Sequence, residues 1–324
     1  MRAALHHARP PLPNENPPPR PIFAEIETVL HALSLYGAAG IAALGWAMGW
    51  LIGLSAAHWL PLWFCGGLLI YNADRLRLDP ADTLNLPART AASARLRRAS
   101  TVTLTLAALV LIGLPALRRE WEILGFVLGG ALISLGYSIP ILGFRWKDIP
   151  FLKSLFAPAV ITAAIFSLLF HPPMSGAYWA TTLIDVSRLR PWTMILLILA
   201  PWAFFYLLFN MLLCDLRDRA GDAQCGIRSI PVVLGEKGTF RLLLTLAGLG
   251  QLGLSYLTQF RIDRVLPFVL LSLLTGAWQL YLLEATRRPR SERFYEWAVE
   301  GLLYLPALAC GLTILLARLL AHRV

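Results

Sequence analysis

Three carboxylates, Asp215, Asp218 and Asp222, stand where a long apolar run turns polar, in the stretch NMLLCDLRDRAGDAQCGIRSIPVVLG from Asn210 to Gly235. On a continuing helix their i, i+3 and i+7 spacing puts them on one face over about two turns. Like charges at that spacing repel and destabilise a helix. Bunched at a membrane border they call for a counter-charge, most simply a hard cation such as Mg²⁺, while the plainer reading is a solvated acidic loop between spans. A second acidic group, Asp74, Asp79 and Asp82, follows another apolar run beside Asn72 and Arg75 in LIYNADRLRLDPAD. A third stretch, YSIPILGFRWKDIPFLKSL, offers Tyr137 with Arg145, Lys147 and Lys153. These cations could donate to phosphate oxygens, Arg in a bidentate manner, although basic residues in a cytoplasmic loop are also what topology alone demands. Lys153 sits inside the following apolar run, where a charge more often serves function.

The elements that must position these groups are membrane helices. With 57% hydrophobic and 15% charged residues, and a mean hydropathy of +0.62, the chain is too apolar for an ordinary soluble domain. The net charge of +10 resides mostly beside apolar runs, as membrane orientation requires, so nucleic acid is not an expected partner. Cys65, Cys214, Cys225 and Cys310 have no paired spacing, which excludes a disulfide framework or a zinc site. The histidines are scattered, with no metal cluster. No short apolar segment with a cleavage site begins the chain, so the spans themselves are expected to direct insertion.

Residues 1–22 are rich in proline and read as a disordered tail. Residues 23–324 read as a single domain of nine spans, at about 35–57, 61–72, 101–117, 121–142, 151–171, 193–213, 239–258, 264–284 and 297–320. Backbone polar groups in lipid must be satisfied internally, so the expected fold is an all-α, polytopic membrane helical bundle. Residues 75–100 read as the largest polar loop. Tryptophans near span ends, among them Trp59, Trp63, Trp121, Trp179 and Trp192, read as an interfacial belt. Asn210 reads as an amide that ties helices together. Loops after the third, fifth and seventh spans carry only Arg118, Arg119, Arg188, Arg190, Arg261 and Arg264, and the other loops are richer in Lys and Arg. The positive-inside rule then puts the N-terminus and both acidic clusters on the cytoplasmic face of the cell membrane.

DLRDRAGD leading into GIRSIPVVLG resembles the second aspartate-rich motif of the UbiA family of intramembrane prenyltransferases, D-x-x-D-x-x-G-D followed by a basic turn and a T/S-x-P-V-x-x-G tail. The stretch from Tyr137 to Lys153 is similar to that family's Y-S-x-P-x-R-x-K-x-x-P-x-L-K pattern, with altered basic spacing. The first motif departs from N-D-x-x-D-x-x-x-D: aligned on Asp74 and Arg75, the usual Asn-Asp positions hold Ile70 and Tyr71, and the last Asp position holds Leu78. Asn72, Asp79 and Asp82 could rebuild an oxygen-rich site there.

The resemblance implies a Mg²⁺-dependent transfer of an isoprenyl group from a prenyl diphosphate to a small-molecule, aromatic, quinone-precursor-like acceptor. Asp215, Asp218 and Asp222 would hold one metal and Asp74 with Asp79 the other. Asn72, Arg75, Tyr137, Arg145, Lys147, Lys153 and Arg228 would contact the diphosphate. Two alternatives stay open: a membrane protein that binds isoprenoid or quinone without turnover, and a terpene synthase or cyclase with no second substrate. A transporter is least supported, because the carboxylates sit at span ends.

Overall fold

The structure, a computed structural model, describes residues 22–73, 80–138, 145–171, 186–260 and 265–321. The proline-rich tail to residue 21, and with it Asp74, Arg75 and Asp79, lies outside the described residues. The fold among those described is all helix: α1 (Ile22–Ala32), α2 (Leu35–Ile52), α3 (Leu60–Ala73), α4 (Pro80–Asn85), α5 (Pro87–Arg95), α6 (Arg97–Arg118), α7 (Trp121–Ser138), α8 (Leu152–Phe170), α9 (Val186–Gln224), α10 (Ile230–Phe260), α11 (Val265–Ala285) and α12 (Glu292–Ala321).

Seven of the described helices, α2, α6 and α8 to α12, are long and apolar enough to cross a membrane. The two that would complete nine, α3 and the apolar segment Trp121–Ser134 of α7, are shorter, so length does not establish that count. The expected loop over 75–100 contains α4 and α5, each opened by a proline that presets the first helical φ and lacks only an N–H that would be unpaired anyway. α9 has 39 residues, which at about 1.5 Å per residue is roughly twice the thickness of the hydrocarbon core. It therefore carries Asp215, Asp218 and Asp222 without interruption, and their spacing does place them on one helical face.

The bundle is layered by burial. Two thirds of α2 (67%) is enclosed but only 22% of α6, so α2 lies inside and α6 meets lipid. The core gathers Leu44, Met48, Trp63, Phe209 and Phe268. Trp59 and Trp63 are core residues rather than interfacial ones, because α2 presents small residues against them, whereas Trp121 is exposed as a belt residue would be. At Gly45 an added Cβ would lie 2.5 Å from the Trp63 ring, so glycine there sets how closely α2 and α3 approach.

Two glycines answer a backbone need. Gly226, with φ of 75°, ends α9, and Gly235, with φ of 67°, breaks α10 after its first turn, both in the left-handed region that only glycine adopts cheaply. α12 is irregular as well, passing through a π turn over Tyr295–Val299 and a 3-10 turn over Glu300–Tyr304.

Gly45→Val drives a branched side chain into Trp63 and is expected to cost about 1–3 kcal/mol of overpacking strain. Gly129→Ala, whose Cβ meets nothing within 4 Å, is the matched control. Thermal unfolding in detergent should fall for the first and hold for the second. A Gly45→Val protein as stable as the control would refute the contact.

Candidate active site

Asp215, Asp218 and Asp222 are only 2%, 8% and 0% exposed, which rules out a solvated acidic loop. Each is answered by a donor from the same chain. Lys153, the second residue of α8, donates from Nζ to both oxygens of Asp222 at 2.6 Å and stands 4.0 Å from Asp215. Ser154 Oγ donates to Asp215 Oδ2 at 2.5 Å and accepts the Ile230 N–H at 3.1 Å, so one hydroxyl joins α8, α9 and α10. Arg217 holds Asp218 through two bonds, from Nε at 2.7 Å and Nη2 at 2.9 Å, with its guanidinium 5.0 Å from the Tyr295 ring centre. Asn85, at the end of α4, accepts the Gly221 N–H at 3.0 Å and donates to Asp222 at 3.5 Å. Glycine is required at 221, because a Cβ would lie 2.3 Å from the Asn85 amide.

Lys153, Asp215, Arg217 and Asp218 border a cavity of about 200 Å³. Its wall also carries Asp82, Arg89 and Glu300 from α4, α5 and α12. Tyr137 lines it too, stacked on Phe156 with ring centres 4.3 Å apart. Asn210 reaches the wall while its amide donates to the Val299 carbonyl at 2.5 Å, as a helix tie. The π turn in α12 supplies that carbonyl, and Leu302 O, one turn on, accepts from Tyr206 at 2.5 Å.

Of the residues expected at the site, Tyr137, Lys153, Asp215 and Asp218 are brought together. Asp222 sits behind them under Lys153. Asn72 is buried at the joint of α1 and α3, donating to the Leu33 and Leu68 carbonyls at 3.0 and 2.9 Å. Arg145 pairs with Asp148 at 2.9 Å. Lys147 is buried, and Arg228 is exposed. None of these last four is in the cavity wall. Arg89, Glu300 and Tyr71 belong to the wall but were not foreseen. Glu300 was legible as a carboxylate inside an apolar run. Leu86, Arg89, Thr90 and Ser93 show a helical stripe that a loop assignment hides.

The wall carboxylates Asp82, Asp215 and Asp218 are the hard oxygen donors that Mg²⁺ prefers, so the donor chemistry fits that ion. As placed, Asp218 is paired with Arg217 and Asp215 lies 4.0 Å from Lys153, and among the described residues no three His, Cys, Asp or Glu converge closely enough to hold a metal.

Asp222→Ala would remove the acceptor of both short Lys153 bonds and leave that half-buried ammonium with Asp215, 4.0 Å away, as its remaining carboxylate, at a cost of about 1.5–3 kcal/mol. Its thermal transition in detergent should drop well below that of Asp218→Ala, and Asp222→Ala/Lys153→Met should recover part of the loss. Equal transitions for the two single variants would overturn the assignment of Asp222 as the clamp for Lys153.

A sequence model described as the UbiA prenyltransferase family matches residues 77–300, more than half of the chain. No curated protein and no solved structure matches it.

Proposed function

The chain belongs to the UbiA prenyltransferase family, and from that premise we propose that it moves an isoprenyl group from a prenyl diphosphate to an aromatic, quinone-precursor-like acceptor in the cavity beside Asp215. The observation that carries this reading is the wall itself, which gathers Asp82, Asp215 and Asp218 with Lys153, Arg89 and Arg217 beside apolar helices. A polyanion with an apolar tail is the ligand that such a wall suits. The family generally uses Mg²⁺. Here Asp215 and Asp218, with Asp82 and the expected Asp74 and Asp79 of the first motif, would hold it. When bound it supplies charge neutralisation on the diphosphate as the allylic C–O bond breaks.

The chain's own residues do the rest. Lys153 and Arg217, which neutralise carboxylates in the structure, are also the ammonium and guanidinium donors that diphosphate oxygens favour. Asp222, with both oxygens on Lys153, keeps that ammonium at the cavity edge. Tyr137, stacked on Phe156, presents an aromatic face to the ligand. The isoprenyl chain, as apolar as lipid, extends away from the charges between the helices. Attack by an electron-rich ring carbon on the allylic carbon then forms the new C–C bond, diphosphate leaves, and the ring loses a proton. The site faces the cytoplasm across the cell membrane, on the same side as the N-terminal tail, in keeping with the positive-inside count.

The departures of the first acidic motif from the family pattern, Ile70, Tyr71 and Leu78 at its usual Asn, Asp and Asp positions, favour one second reading, isoprenoid binding without turnover. Transfer of labelled isoprenyl from diphosphate donors to hydroxy-aromatic acids in membranes separates the two. Prenyltransfer predicts product that EDTA abolishes and that Asp218→Ala lowers on the order of 100-fold. Tight diphosphate binding without product from any acceptor would establish the carrier instead, and wild-type product levels in Asp218→Ala would refute the site.

A further inference from the structure

Beyond the charged cavity lies an apolar one of about 90 Å³. The two share Ile70 and Ser134 in their walls, so they meet at one place on α3 and α7. Apart from Ser134 and the Trp63 indole, no side chain lining the apolar cavity bears a polar group. That indole N–H is directed at the Ala164 carbonyl, 3.4 Å away. An apolar hollow next to a charged one suits an amphiphile with an ionic head and a hydrocarbon tail.

Two wall residues leave this hollow empty. Gly66 of α3 and Gly130 of α7 both line it, and a Cβ built on either meets nothing within 4 Å. Gly67, on the same helix, is different: its Cβ would lie 3.0 Å from Ala38 Cα, so that glycine serves packing. Trp63 bounds the hollow away from the charged cavity. It is 2% exposed and its ring fills the space above Gly45, leaving it nowhere to retreat.

These positions set a depth. Ile70 and Trp63 are seven residues apart on α3, or about 10 Å along the helix axis. In an extended chain three bonds cover about 3.5 Å, so the four chain bonds of an isoprene unit cover about 5 Å. About two units therefore fit between the shared wall and Trp63, with a third, bearing the reacting carbon, beside the carboxylates.

We propose that Gly66 and Gly130 keep open, and Trp63 closes, a chain-length pocket that selects a prenyl diphosphate of three isoprene units. The inference rests on the reading that a prenyl diphosphate binds at the Asp215 and Asp218 cavity, and it adds the residues that choose the donor. The Cβ of a valine at either glycine meets no neighbour within 4 Å, so such variants should fold. Opening the far end at Trp63 should instead admit a longer chain.

The test is binding to the purified protein in lipid nanodiscs with MgCl₂, measured by calorimetry for inorganic diphosphate and for geranyl, farnesyl and geranylgeranyl diphosphates. The wild type should bind the farnesyl compound tightest, and the geranylgeranyl compound about tenfold more weakly. Gly66→Val and Gly130→Val should each lose at least about tenfold for farnesyl diphosphate while holding inorganic diphosphate as the wild type does. Trp63→Ala should shift the preference towards the geranylgeranyl compound. Farnesyl binding unchanged in both valine variants, or a wild type indifferent to chain length, would overturn the proposal. A wild type that binds neither inorganic diphosphate nor any of the prenyl compounds would instead overturn the functional reading beneath it.

Discussion

The structure depends on how it neutralises carboxylates at the edge of an apolar bundle. Asp222 is fully enclosed, and Lys153 donates to both its oxygens, which offsets the cost of burying a carboxylate. Removing Asp222 costs about 1.5–3 kcal/mol, because Lys153 loses the acceptor of both short bonds. Lys153 comes from α8 and Asp222 from the end of α9, so this requirement docks the two helices at one height. Ser154 extends the joint to α10 by accepting the Ile230 N–H, and Asn85 ties α4 to the Gly221 turn. One electrostatic demand thus orients four elements.

The same helices must pack closely in one place and leave space in another, and glycine serves both ends. At Gly45 the missing side chain is filled by Trp63, while at Gly66 and Gly130 it is filled by nothing. Side chains in a well-packed bundle leave few voids larger than a water molecule. The irregular start of α12 contributes similarly. Its π turn presents the Val299 carbonyl to Asn210, and the following 3-10 turn presents Leu302 O to Tyr206 and carries Glu300 to the cavity wall. Local irregularity of this kind is a common companion of function.

Much of the site was legible before any coordinates. The spacing of Asp215, Asp218 and Asp222 needs only helical geometry to become one face, and Lys153 stood out as a charge inside an apolar run. Other expectations used the right residues in the wrong setting. Arg145 and Lys147 share a sequence pattern with Lys153, yet Arg145 spends its charge on Asp148, three residues away. Trp59 and Trp63 carry the composition of an interfacial belt and the position of a core. In each case the residue type was compatible with two environments, and a neighbour remote in sequence decided between them.

The sequence by itself determined that the chain is a polytopic helical membrane protein with a carboxylate face at the end of a long helix. Hydropathy and the 3.6-residue period are local properties that no distant contact can reverse in lipid. Only the tertiary structure decided which charges meet. That Lys153 rather than Lys147 reaches Asp222, that Arg89 and Glu300 enter the wall, and that Gly66 is open while Gly67 is filled all follow from how helices cross. Crossing is set by side-chain packing between segments far apart in the chain, and one apolar run looks much like another until they are brought together.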